Sequence, residues 1–192
     1  MIKIGILGDI GAGKSFIAKA FKYPVFDADQ EVINIYKKNK FCFLKLKKRF
    51  PKTITQYPIN KSELVEILFK NKKNIKEIGK IIHPFVNKKL EIFLKKNHNK
   101  KYVVLDIPLL LENKVVKSSI IYVFVESKKK DIRYHLKKRK NFNKKLYNIV
   151  RKNQLSLVIK KKKSKFIIKN NFKKKDVKKR VSQIKSKISN LC

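Results

Sequence analysis

Acidic residues are scarce in this chain. It carries 13 Asp and Glu against 52 Lys and Arg, a formal net charge of +39 over 192 residues. Such a field attracts nucleic acid, anionic membranes and polyanionic small molecules alike. The excess is mostly lysine and runs the whole length of the chain beside abundant Asn, Ile, Phe and Tyr. All of these have A/T-rich codons, so compositional drift accounts for the bias without a dedicated polyanion. The aromatics do not gather into an RNA-stacking cluster, and the cations are not confined to one patch. Nucleic acid is therefore expected to bind only non-specifically. Cysteine is equally sparse: Cys42 and Cys192 have neither metal-ligand nor redox spacing and suit a reducing compartment. No stretch approaches the ~20 apolar residues needed to cross a bilayer. The apolar start is interrupted by Gly8 and Asp9, too early for a secretory signal. A soluble cytoplasmic protein with no membrane role is the expectation.

Glycine is rare too, with five in all, and three of them fall between residues 8 and 13. They belong to "GDIGAGKS", which follows the apolar run "IKIGIL" and precedes the helical pattern "KSFIAKAFK". This is the full G-x-x-x-x-G-K-[ST] spacing in its strand–turn–helix setting. Backbone N–H groups of such a loop converge on one place, with the positive end of a helix behind them. Gly8, Asp9, Ile10, Gly11, Ala12, Gly13, Lys14, Ser15 and Phe16 are thus expected to bind a nucleoside triphosphate. Lys14 reaches the β- and γ-phosphates, and the Ser15 hydroxyl ligates Mg²⁺.

Further buried strands are expected at "PVFDAD", Tyr102 to Asp106, "SSIIYVFVES" and "KFIIKNN". Apolar residues at helical spacing fill Gln30 to Asn99, and Val177, Val181, Ile184 and Ile188 mark a last helix. Strands alternating with helices predict an α/β fold: a P-loop NTPase three-layer architecture around a parallel sheet. The helical block at 30–99 is too long for a simple crossover and reads as an inserted substrate-binding subdomain. The lysine run 160–163 reads as solvated loop.

The acceptor of the phosphate must be sought outside the loop. Asp27 and Asp29 stand at the end of the second predicted strand, where open α/β sheets bind ligands. Two apart on a strand, both would point to the same site if the strand persists. A carboxylate there can orient an acceptor hydroxyl and take its proton, help typically worth about 10²–10⁴ in rate. Asp29 also suits a helix start before "QEVINIY".

In this order, "GDIGAGKS", "FDAD", "IIHPFV" and "DIPLLLE" resemble the dephospho-CoA kinase family over nearly the whole chain. The resemblance implies ATP-dependent phosphorylation of the ribose 3′-hydroxyl of dephospho-CoA, with Mg²⁺. It divides the chain into a core (1–29, 100–127 and 164–192), a helical CoA-binding insert (30–99) and a lid (about 128–160). By position, Asp29 resembles the acceptor-side acid and Asp27 its neighbour, acting on substrate, metal or structure. His83, with Pro84, matches a substrate-binding His-Pro element, although a histidine beside a helix kink also suits packing. Asp106 ends the third strand, where an acid holds Mg²⁺ through water. Pro108, Leu109 and Glu112 fall in the Pro-Leu-Leu-x-Glu segment that the resemblance places on the substrate side, where Glu112 suits either a substrate contact or a cap of the local structure. Arg139 matches a lid arginine that reaches the phosphates, Gln154 a lid-end glutamine, and Asn170 a late asparagine of the nucleotide site. The chain departs from the family pattern at His135, Lys140 and Ser164-Lys165, and no glycine follows Asn171. Those changes touch the lid and the adenine end, not the reaction type. Other nucleotide kinases share the core, and a basic nucleic-acid-binding protein with a vestigial loop is the reading from a different class.

Overall fold

The computed structural model describes residues 1–108, 110–111, 119–139 and 142–191. In chain order the first elements are β1 (Ile2–Gly8), α1 (Lys14–Ala20), β2 (Val25–Asp27), α2 (Ala28–Lys38), α3 (Lys40–Arg49), α4 (Lys61–Lys70) and α5 (Asn74–Lys96). They are followed by β3 (Tyr102–Asp106), β4 (Ile120–Glu126), α6 (Lys129–Lys137), α7 (Lys144–Lys152), α8 (Leu157–Lys162), β5 (Phe166–Lys169) and α9 (Lys174–Ser189). The chain divides into two compact units, one of Met1–Asp27 with Asn97–Cys192 and one of Ala28–Lys96.

The first unit is built on a five-stranded parallel sheet in the order β2-β3-β1-β4-β5. Its strands are short runs of β-branched and aromatic residues. From Ile4 to Gly8 every residue of β1 is buried, as a strand covered on both faces requires. Ile4, Ile6, Val104, Val123, Val125 and Ile168 of the sheet share one core with Ile17 and Phe21 near α1. The predicted stripe Val177, Val181, Ile184 and Ile188 joins that core from α9. Because β1 is central, the loop that leaves it opens in the middle of the sheet's carboxyl edge.

Two expectations need correction. The strand at "PVFDAD" stops at Asp27 and α2 begins at once, so the same-face argument for Asp27 and Asp29 ends there. Within the block expected to be helical, α3 is an element of its own, and Asn39 caps it by accepting the Cys42 N–H. The run 160–163 is not solvated loop throughout: α8 extends to Lys162, and Lys160 is buried.

The second unit is all helical, and α2, α3 and α4 each pack on α5. Ile78, Ile82, Val86 and Leu90 line the buried side of α5 at four-residue spacing. Pro84 sits inside that helix without ending it. Asn60 and Glu63 form a capping box at the start of α4. Cys42 is fully buried here, and burial pushes its thiol up to about 11, out of the reactive range.

Candidate active site

Residues 9–13 link β1 to α1. Gly11 and Gly13 have φ of +82° and +85°, a region that residues with side chains rarely adopt. Space forbids a side chain as well. A Cβ on Gly11 would lie 2.8 Å from Leu136 Cγ, and one on Gly13 would strike the Asn170 amide. The loop is therefore bare backbone at the positive end of a helix whose first turn carries no acid. Lys14 folds over it, its Nζ donating to the Asp9 carbonyl at 2.9 Å and to the Gly8 carbonyl at 3.4 Å. The Asp9 carboxylate accepts the Ile10 N–H at 2.7 Å, and Phe16 stands at the surface one turn into the helix.

A second set of contacts holds the loop from below. The carbonyl of Ala12 accepts two hydrogen bonds, from Ser127 Oγ at 2.9 Å and Asn170 Nδ2 at 2.8 Å. The Asn170 side-chain oxygen accepts the Phe172 N–H at 2.9 Å. Its own N–H donates to the Glu126 carbonyl at 2.7 Å. Phe172, at φ +62°, lies against Gly13 and stacks on His135 with ring centroids 3.9 Å apart. Leu136, the next residue of α6, packs against Gly11. The ends of β4 and β5 and one face of α6 thus fix the cradle. Asn170, expected to meet the nucleotide, is a buried strut beneath the loop. Ser127, Leu136 and Phe172 belong to the same support and carry no motif by which a sequence would disclose them.

The acids lie beside the lysine. Asp27 and Asp106 are partners across β2 and β3 at the carboxyl edge. Asp106 is 5% exposed and takes a hydrogen bond from the Ser15 side chain. Burial pushes its carboxyl above the ordinary range; the Ser15 bond and the Lys14 charge pull it back, while Asp27 adds to the rise. Among the described residues no group of three His, Cys, Asp or Glu could hold a metal unaided. A hydroxyl bonded to a desolvated carboxylate below a phosphate cradle nonetheless fits Mg²⁺, which takes one or two protein ligands and completes its shell with phosphate and water.

The remaining predicted residues are dispersed. Arg139 is exposed, three residues past Leu136 and with its N–H on the Leu136 carbonyl. Pro108 begins the turn after β3, whereas Leu109, Glu112 and Lys140 lie outside the described residues. Asp29 and His83 belong to the helical unit. Asp29 is exposed in the first turn of α2, where a carboxylate suits the helix dipole. His83 lies over Gly79, one turn back on α5, at the distance where a Cβ would be 3.3 Å from its ring. Partial desolvation holds its pKa below the ordinary histidine value.

A glycine cradle crossed by a lysine, with a hydroxyl–carboxylate pair below it on a 2-3-1-4-5 parallel sheet, defines the class of P-loop kinases. Residues 2–176 match the dephospho-CoA kinase family. The dephospho-CoA kinase of Wolbachia pipientis wMel is 34% identical, over 98% of this chain and 97% of that protein. A crystal structure of TT1252 from Thermus thermophilus superposes with a TM-score of 0.79 at 24% identity, covering 100% of this chain and 98% of that one. The dephospho-CoA kinase from Campylobacter jejuni gives a TM-score of 0.63 at 22% identity, covering 98% and 97%. The chain belongs to the dephospho-CoA kinase family.

Proposed function

We propose that this protein transfers the γ-phosphoryl group of ATP to the ribose 3′-hydroxyl of dephospho-CoA, giving coenzyme A and ADP in the cytoplasm. The observation that carries the reading is the Ser15–Asp106 bond beneath a cradle crossed by Lys14, in a chain of this family. The N–H groups of Gly8 to Phe16 bind the β- and γ-phosphates, and Lys14 exchanges its loop carbonyls for phosphate oxygens. Ser15 and Asp106 would hold Mg²⁺, which neutralises phosphate charge when bound. Asp29 orients the 3′-hydroxyl and takes its proton as the new O–P bond forms and the bond to the leaving ADP breaks.

Asp27 contacts the substrate as well. His83, Pro108, Leu109 and Glu112 contact dephospho-CoA. Arg139, from a lid spanning about 128–160, balances the charge that develops in transfer. Asn170 serves the nucleotide indirectly, by holding the loop. The insert 30–99 is the acceptor-binding part.

The test is ADP release with Mg-ATP, with and without dephospho-CoA, alongside mass spectrometry for coenzyme A. Acceptor-dependent ADP with matching coenzyme A is expected, and tight ATP binding without that product would overturn the reading. Asp29→Asn should still bind ATP while losing most turnover. Full activity in that variant would remove Asp29 from the mechanism.

A further inference from the structure

Among the described residues, the buried polar side chains are Asp106, Asn170 and Lys160. The first two serve the phosphate loop. Lys160 is 1% exposed, and lysine is almost never so fully buried unless it is partnered. Its helix reverses the usual pattern. In α8, Leu157, Val158 and Ile159 are 37%, 77% and 42% exposed, while the lysine that follows them points inward. Apolar burial would have turned this short helix the other way, so its orientation answers to the polar contact of Lys160.

That contact closes a turn. At the end of α7, Asn153 donates from its side chain to the Ile149 carbonyl at 2.8 Å, and the Gln154 N–H bonds to the Arg151 carbonyl at 3.2 Å. Ser156 then caps α8. Lys160 reaches back across the turn, its Nζ donating to Gln154 Oε1 at 3.3 Å, and Ser164 Oγ ties the Lys160 carbonyl at 2.9 Å. Helix α8 packs on β1, and Leu157, Val158 and Lys161 share with Asp9 and Ala12 the wall of a cavity of about 220 Å³. The turn between α7 and α8 is therefore fastened to the strand and loop that receive phosphate.

We propose that Lys160 is a positioning residue for the transfer step: through Gln154 it fixes the angle at which α7 leaves the α8 anchor on the phosphate-loop strand. The inference rests on the kinase reading, in which α7 belongs to the lid that excludes water from the transferring phosphate.

Four variants of the full chain test it: K160M, Q154L, the K160M/Q154L double, and Q154E, which keeps an acceptor oxygen. The expected result is faster amide hydrogen exchange across 144–152 in K160M and Q154L, with exchange in β1 unchanged. Turnover with dephospho-CoA should fall by on the order of ten- to a hundredfold while ATP affinity holds. ADP should form in excess of coenzyme A, a loss of coupling that simple destabilisation does not cause. The double variant should be no worse than K160M, and Q154E should stay close to the parent. Unchanged exchange across 144–152 in the single variants, coupled turnover in both, or losses that multiply in the double would each overturn the proposal. Should K160M fail to fold, Q154L decides, since Gln154 is only half-buried. If the parent makes no coenzyme A, the kinase reading fails, and the exchange arm still decides whether Lys160 holds α7 through Gln154.

Discussion

The two units of this chain bury different things. Inside the helical unit lie aliphatic side chains, from Ile35 and Leu46 to Leu64, Ile67 and Leu90, with the thiol of Cys42. The sheet unit buries an aspartate, an asparagine and a lysine among its Ile and Val. Desolvated polar groups are expensive to hold and stronger once held. Asp106 and Asn170 carry that expense at the phosphate loop, where charge must be met during phosphoryl transfer. The helical unit keeps its functional candidates, Asp29 and His83, outside its core. Buried polar groups thus mark the unit that carries the phosphate loop.

The difference can be broken most severely at Lys14. Lys14→Met should lower turnover by on the order of a thousandfold, roughly 4 kcal/mol of transition-state stabilisation, with little change in thermal midpoint. Leu90→Ala tests the other unit. Removing this 3% exposed side chain should destabilise the protein by about 2–5 kcal/mol in urea unfolding while ATP affinity is kept. A parallel loss of ATP affinity would show that the units are not energetically separate.

Asp106→Asn divides stability from activity within the sheet unit. It should cost about a hundredfold in turnover, yet raise the thermal midpoint of the nucleotide-free protein by relieving a buried charge. The sign follows from its raised pKa. As pH falls through the folded value the carboxyl is neutralised in the fold first, so the parent gains stability there, and the variant should lose that gain.

The smallest effect sharpens the contrast. The pKa of His83 is lowered, so as pH falls below about 6.5 the unfolded chain takes up the proton first, and stability drops towards the folded value. His83→Gln should flatten that part of a stability–pH curve measured from pH 7 to 5. Asp106 and His83 thus contribute opposite slopes to the stability–pH curve.

The same division explains what could be read from the residues alone. The phosphate loop, the strand cores and the α9 stripe were legible because each is local: fixed spacing, or apolar residues at a period of 3.6 or 2. The support under the loop was not. Ala12 meets Ser127 and Asn170 across 115 and 158 residues of chain, and a serine after a strand has no pattern that announces such a partner. Lys160 was misread for a related reason. In a chain with 52 cations, one lysine among four looks like its neighbours, and only the turn of α8 separates it from them. The end of β2 was missed by two residues because Ala28 and Asp29 fit an extended strand and a first helical turn equally well.

The tie at Ala12 bears on inheritance. The atom that Ser127 and Asn170 grasp is a peptide oxygen, which every residue possesses. No codon change at position 12 can delete it. Surface lysines can come and go while this tie stands, provided the side chain at position 12 remains small enough for a place that leaves Ala12 only 1% exposed.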